Sequence, residues 1–271
     1  MRLTAHVGLR YDGRTAYRKR FVLTDPLFYL AAIPAVVLMG LAKGGFAGVG
    51  AMSMPLLALI ISPVQAAAIL LPVLLVQDAV GVWAFRKNLD RDTLVLMIPS
   101  AAVGIVLGYL LAARVSSQAV LGALGAISIV FAAYRLWTSR GGRVPAPRHT
   151  SPVVGAALGV TAGFTAQIAH AGQPPFQIWV LPKGLPPAVL VGTTAVFFFV
   201  INWLKVPAYF ALGQLTRENL LVSAALMPVA IASTFFGVWL VRRVNAQKFY
   251  TLIYVLMIVV GIRLVWEALF H

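Results

Sequence analysis

The stretch GFTAQIAHAGQPPFQIWV, residues 163–180, carries three glutamines, a histidine and a Pro-Pro pair in a chain that is otherwise mostly apolar. Of the 271 residues, 61% are hydrophobic and only 11% are charged, which lies well beyond the usual composition of a soluble domain. A polar interruption in such a chain indicates a helix that breaks within a membrane. Its backbone groups need protein, water or ligand as partners, because hydrocarbon offers none. The break is therefore predicted to line a cavity.

Apolar runs long enough to cross a bilayer as helices recur along the rest of the chain. These runs cover residues 64–85, 93–112, 118–138, 187–211, 218–241 and 249–270. Two further stretches, 27–61 and 152–181, are interrupted, the first at Lys43-Gly44-Gly45 and the second around His170 and Pro174-Pro175. The pattern predicts an all-α integral membrane protein with about eight transmembrane helices.

The chain is predicted to consist of two homologous four-helix repeats, each starting with a broken helix. NLDRDTL (88–94) matches QLTRENL (214–220) at a spacing of 126. Gly45-Phe46 matches Gly163-Phe164 at a spacing of 118 residues, and Pro63 and Asp78 match Pro187 and Asn202 at a spacing of 124. Gly108, Val115 and Trp137 match Gly237, Val244 and Trp266 at a spacing of 129. The spacing grows along the chain, as small insertions would make it do, so a duplicated unit is expected. We assign a basic tail to 1–25, the first repeat to 26–138, a Gly-, Pro- and Arg-rich linker to 139–151 and the second repeat to 152–271.

The net charge of +15 is interpreted as a topology signal and not as a nucleic-acid site, because Lys and Arg cluster at helix ends and in the tail. We expect the tail to lie in the cytoplasm. If each interrupted stretch crosses once, the repeats are parallel and the loops at 86–92, 139–150 and 212–217 are cytoplasmic. Inverted repeats would instead bring the basic residues at 242–248 inside and put the tail outside. We favour the parallel arrangement.

Polar residues inside the apolar runs are the candidates for function, because a buried charge costs roughly 2.5–3.5 kcal/mol on insertion scales. The predicted substrate-binding residues are Lys43, Gly44, Gly45, Gln167, His170, Gln173, Asn202 and Lys205. His170 and Asp78 are the candidates for proton coupling, and Gln177 is a further donor at the second break.

Structural roles stay open for the same charged residues. Asp78, eight residues before Arg86, could reach or pair near the interface, and Lys205 could reach the headgroups. Lys43 could sit in an aqueous vestibule, and His170 could be a satisfied structural residue. Thr193 and Thr194 are interpreted as packing residues, and Met39, Met52 and Met54 as core residues.

No enzyme, metal or cofactor motif is found in the sequence. It has no His-Glu zinc motif, no Walker loop and no dinucleotide fingerprint, and its lack of cysteine excludes thiol chemistry and thiolate metal sites. The chain is therefore not expected to be an enzyme or to carry a cofactor. The expected partners are a small anion and membrane lipid, with no nucleic acid, while an oligomer stays open.

LMGLAKGGFAGVGAMSMPLLAL in the first half, together with the stretch from Gly163 to Leu215 in the second, resembles the sulfite exporter TauE/SafE family of bacterial permeases. The resemblance implies a multi-pass permease of the bacterial cytoplasmic (inner) membrane that exports sulfite, sulfonates or other small sulfur-containing or organic anions. The second break departs from the family's usual glycine-rich motif, which leaves the substrate open. The alternatives are a passive anion channel and a membrane accessory protein without a transported substrate.

Overall fold

The computed structural model describes residues 25–46, 48–112, 114–140, 151–240, 243 and 247–270. Within these residues the α-helices are α1 Pro26–Lys43, α2 Ser53–Ala58, α3 Pro63–Phe85, α4 Arg91–Ala112, α5 Ser117–Arg140, α6 Pro152–Ala169, α7 Gln173–Val180, α8 Pro187–Ala211, α9 Arg217–Leu240 and α10 Gln247–Phe270. Eight of them are long and apolar enough to cross a membrane, and the two short ones, α2 and α7, each follow a break. The predicted all-α membrane architecture is confirmed.

Three of the helices begin with the same local signal. Asp25, Ser62 and Ser151 each accept a hydrogen bond from a backbone N–H of the first turn, at 3.0, 3.3 and 3.3 Å. Each is followed by proline, which lacks the N–H that would otherwise need a partner and whose fixed φ suits a helix. This signal starts α1, α3 and α6.

The segment between α1 and α3 folds back along α1. Both α1 and α3 run parallel to α9, as their successive contacts show. The pairs are Gly40 with Ser233 and Gly44 with Gly237 for α1, and Ile69 with Ser223 and Gln77 with Ala230 for α3. Two parallel helices joined in sequence need a connection that returns, and α2 provides it, because the Ser53 hydroxyl donates to the Ala35 carbonyl at 2.7 Å. We call α1, the break at 44–52 and α2 the first hairpin.

The second half repeats this arrangement with α4 in the place of α9. Gly104 and Gly108 of α4 pack along α6 beside Phe164 and Gln167. The start of α8 lies at the start of α4, and the end of α7 returns to the start of α6, where Trp179 packs against Gly155. We call α6, the break at 170–172 and α7 the second hairpin.

Helices at corresponding positions of the two halves run in opposite directions. The contacts between α5 and α10 are antiparallel: Gly122 with Ala268, Gly125 with Val265 and Ile129 with Gly261. The units are therefore inverted, and the parallel arrangement favoured by the sequence analysis is wrong. The physical reason is that each hairpin returns to the side where it began, so a unit makes an odd number of crossings and not four.

The bundle has a linker end, where α5 ends and α6 begins, and a terminal end, where α1 begins and α10 ends. The tail residues before Asp25 and most of the linker lie outside the described residues. Their attachment points are at opposite ends, so the expectation that both face the cytoplasm does not hold. The match of Gly45 with Gly163 is also wrong, because Gly45 lies in the turn after α1 and Gly163 lies inside α6. The homology of the halves stays a prediction.

Candidate functional site

A cavity lies where the two breaks meet α3 and α8 inside the bundle. Its volume is about 50 Å³, which is room for a few water molecules or one small oxyanion. The cavity is lined by Met39, Ala42, Lys43, Gly50, Ser53 and Met54 of the first hairpin, Leu70 and Leu74 of α3, Ala166, His170 and Gln173 of the second hairpin, and Thr194, Phe198, Asn202 and Lys205 of α8. Residues of both halves therefore line this one cavity.

An ion pair joins the first hairpin to α3 at this cavity. Lys43 Nζ lies 2.6 Å from Asp78 Oδ1, and Asp78 Oδ2 accepts a hydrogen bond of 2.5 Å from Asn202 Nδ2. The Lys43 ammonium also lies 4.5 Å from the centre of the Phe198 ring, a cation–π contact. Asp78 is fully buried and lies about 10 Å from the end of α3, at 1.5 Å per residue. It pairs with Lys43 inside the bundle, so the interpretation that it reaches or pairs near the interface is wrong.

The second cation of the cavity, Lys205, has no carboxylate within ion-pair distance among the described residues. Its side chain is 1% exposed, and Nζ donates to the Ala166 carbonyl at 3.2 Å and to His170 Nδ1 at 2.6 Å. His170 Nε2 lies 2.8 Å from the Ala67 carbonyl. A carbonyl only accepts, so Nε2 carries the hydrogen, Nδ1 accepts, and His170 is neutral by this assignment. Lys205 does not reach the headgroups.

The second break presents backbone carbonyl groups to Lys205 and Tyr209. At the end of α6, the Ala166 and Gln167 carbonyls accept hydrogen bonds from Lys205 and from the Tyr209 hydroxyl, the latter at 3.0 Å. The free N–H groups at the start of a helix that follows a break would suit an anion. Pro174 and Pro175 occupy the second and third positions of α7 and have no N–H. The cavity's donors are therefore mainly side chains.

Three predicted site residues lie outside the cavity lining. A Cβ on Gly44 would lie 2.5 Å from the Gly237 Cα, so Gly44 is a contact point between α1 and α9. Gly45 forms the turn after α1 with a φ of 127°, a conformation that favours glycine. The Gln167 side chain packs against Gly108 of α4. The structure brings Lys43, His170, Gln173, Asn202 and Lys205 together and leaves these three apart.

Several lining residues have no distinctive signal in the sequence. Thr194 donates to the Leu190 carbonyl at 2.7 Å, as expected of a packing threonine, yet it also lines the cavity. Met39 and Met54 are buried core residues, as expected, and they too form part of the wall. A threonine or methionine on a buried helix face has the same spacing whether or not a cavity lies in front of it.

A polar cluster closes the linker end between the halves. Lys183, after α7, lies 3.1 Å from Asp90 Oδ2 and 2.7 Å from Thr93 Oγ1, and the Thr93 hydroxyl donates to Asp90. Partial burial alone would raise the pKa of Asp90, but the hydrogen bond from Thr93 and the ammonium of Lys183 together lower it below its usual value. The Asp90 backbone N–H also donates to Thr193 at 2.8 Å. The cluster fixes the second hairpin to the first half.

Residues 32–264 match the family model described as Sulfite exporter TauE/SafE. The matched range contains every residue that lines the cavity and all helices except the first residues of α1 and the last of α10. A search of curated proteins and a search of solved structures each found no match.

Proposed function

Because the chain belongs to the sulfite exporter TauE/SafE family, a family of membrane transporters, we propose that it is a secondary transporter that exports sulfite or a related small sulfur-containing or organic anion across the bacterial inner membrane. The family confirms the resemblance drawn from the sequence and the assignment as a multi-pass membrane permease. The anion and the direction belong to the proposal.

The charge of the cavity is the observation that carries this proposal. Two ammonium groups, Lys43 and Lys205, line the cavity, and the carboxylate of Asp78, which does not line it, pairs with Lys43. With His170 neutral, the site has a formal charge of +1 that no described residue balances. A buried charge without a counterion is costly in hydrocarbon. A small oxyanion supplies the missing charge and accepts hydrogen bonds from Lys205, Gln173 and Asn202.

The inverted units give this site a way to open to either side. The first hairpin enters from the terminal end and the second from the linker end, and their breaks meet at the cavity. Movement of one unit against the other would expose the cavity to one face at a time. An anion that binds Lys43 competes with Asp78, so binding and release exchange one counterion for another.

We keep His170 and Asp78 as the candidates for proton coupling. His170 Nδ1 is occupied by Lys205, so the imidazole can take a second proton only when Lys205 moves away or gives up its own. Asp78 can take a proton when an anion replaces it at Lys43. Each candidate therefore links protonation to a change at a cavity lysine.

The test is counterflow of radiolabelled sulfite in proteoliposomes that contain the full chain. We expect trans-stimulated, saturable flux in the wild type and a loss of tenfold or more in Lys205→Gln and in Lys43→Gln. Arg263→Gln is the matched control, because the Arg263 side chain is 61% exposed and does not line the cavity. Size-exclusion profiles establish that each variant is folded.

The outcomes separate the alternatives. Flux that rises without saturation and shows no trans-stimulation would favour an anion channel. Wild-type flux that neither lysine variant changes would contradict the site. No counterflow with sulfite, sulfate, thiosulfate, sulfoacetate, taurine or small carboxylates would refute transport and leave the accessory protein as the better interpretation.

A further inference from the structure

A second group of donors lies between the cavity and the linker end. On α7, Gln177 follows the cavity residue Gln173 by about one helical turn, so the two share a face. On α5, Arg135 donates from Nε to the hydroxyl of Tyr254 of α10 at 3.1 Å. Arg135 lies five residues before the end of α5, about 8 Å from the linker end. These groups lead from the cavity toward one face of the bundle.

The Gln177 amide is the unexplained member of this group. Its side chain is 1% exposed, and neither its nitrogen nor its oxygen has a hydrogen-bond partner among the described residues. Buried amides are nearly always hydrogen-bonded in native proteins, so this one needs a partner that the described residues do not supply. Arg135 forms no ion pair with a carboxylate in the described part of the chain. Its contacts are the hydrogen bond to the Tyr254 hydroxyl and a cation–π contact with the Tyr254 ring.

The first break brings two of these groups, Tyr254 and Gln177, close together. A Cβ on Gly48 would lie 2.6 Å from the Tyr254 hydroxyl and 3.4 Å from the Gln177 amide oxygen. Gly48 has a φ of 98°, which favours glycine, so the position is kept free of a side chain. The Tyr254 hydroxyl and the Gln177 amide therefore lie close together with no free space between them, and an oxyanion reaches both only when the two hairpins move apart.

The positions that match Arg135 and Tyr254 in the other half carry no such donors. The spacing of 129 that relates Trp137 to Trp266 places Leu264 at the position of Arg135 and Gly125 at that of Tyr254. Leu264 is fully buried in an apolar cluster with Leu57 and Leu124. The terminal end therefore has a buried leucine and a glycine where the linker end has an arginine and a tyrosine.

We propose that Arg135, Tyr254 and Gln177 form a second binding site for the transported oxyanion, through which it passes between the cavity and the linker end. The identity of the anion rests on the proposed function. A guanidinium, a phenol O–H and an amide N–H are all donors, and the guanidinium matches the fork of two oxyanion oxygens. The Tyr254 hydroxyl accepts from Arg135 and keeps its own hydrogen for the anion.

Equilibrium dialysis with radiolabelled sulfite, and with sulfate as a second probe, tests this by stoichiometry. The wild type should bind two anions per chain, Lys205→Gln one, Arg135→Gln one, and the double variant none. Gln177→Leu should weaken the linker-end site about tenfold or more, since it removes a hydrogen bond to a charged ligand. Arg135→Lys keeps the positive charge but lacks the paired N–H donors of the guanidinium, so it should bind the second anion more weakly than the wild type. Arg263→Gln, at an exposed arginine, is the control.

Each result bears on one proposal. One anion per chain that Lys205→Gln abolishes and Arg135→Gln leaves unchanged would overturn the second site and keep the central one. One anion that Arg135→Gln abolishes and Lys205→Gln leaves unchanged would keep the second site and refute the central one. Two anions with no effect of Gln177→Leu would mean that water fills the space at Gln177 and would remove that residue from the site. No binding of either probe overturns both sites.

Discussion

Replacing Asp78 by asparagine should strengthen anion binding, although it removes a buried charged residue from the site. Asp78 neutralises Lys43 across 2.6 Å and accepts from Asn202 at 2.5 Å. Asparagine has nearly the same shape, and the Asn202 amide can rotate to present its oxygen to the new NH₂ group. The variant therefore changes the charge of the cavity from +1 to +2 with little change in packing.

The expected magnitude follows from the burial of the pair. Removing one partner of a buried ion pair costs about 3–5 kcal/mol, so the anion-free variant should be less stable by a figure of that order. An anion that takes the place of the carboxylate recovers part of the loss. A recovery of about 2 kcal/mol corresponds to an affinity about 30-fold higher. Release should slow correspondingly, so the maximal flux should fall.

Thermal unfolding in detergent and equilibrium dialysis measure the two halves of this prediction. We expect a lower Tm without sulfite, a larger upward shift of Tm with sulfite than in the wild type, and a lower Kd. Asp90→Asn is the matched control, because Asp90 also pairs with a lysine but lies outside the cavity. A folded Asp78→Asn protein whose sulfite affinity is reduced would refute the competition between Asp78 and the anion.

Three further outcomes are expected. Asp90→Asn should lower the free energy of unfolding by about 1 kcal/mol at neutral pH, because its pair with Lys183 is partly exposed. The pKa of Asp90 is lowered, so the contribution of its carboxylate to stability is complete above about pH 4 and is lost as the pH falls through the lowered pKa. Thermal unfolding at a series of pH values should show the Tm of the variant and of the wild type converging in acid. A difference in Tm that stays constant with pH would contradict the ion pair. Gly44→Ala should cost about 1–3 kcal/mol, because the new methyl group meets the α9 backbone at 2.5 Å, and an unchanged Tm would contradict this contact. Single cysteines introduced at Lys87 and Glu218, in a chain that has none, should react with a membrane-impermeant maleimide from opposite faces, and labelling from the same face would restore the parallel arrangement.

The helices themselves could be predicted from the sequence. A transmembrane helix satisfies its own backbone, so the length of an apolar run is enough to define it, and the eight long helices lie where the runs indicate. The two breaks could also be predicted, because glycine, proline and polar side chains in an apolar run oppose a continuous helix. The charged residues in those runs pointed to the cavity, because burial of a charge needs a partner.

The directions and the pairings were decided by the tertiary structure. After a break the chain can continue across the membrane or return, and only the packing of α2 on α1 and of α7 on α6 makes it return. That choice inverts the second unit. It also decides that Lys43 meets Asp78 and that His170 meets Lys205, each pair 35 residues apart.

The sequence by itself thus determined the membrane-spanning helices, the breaks and the polar residues that hydrocarbon would not tolerate alone. Only the tertiary structure decided which of those residues share a cavity, that Gly44 contacts α9 and that Gln167 faces α4. The physical reason is range: a helix is set by hydrogen bonds four residues apart, whereas a site between two inverted units is set by side-chain packing across the whole chain.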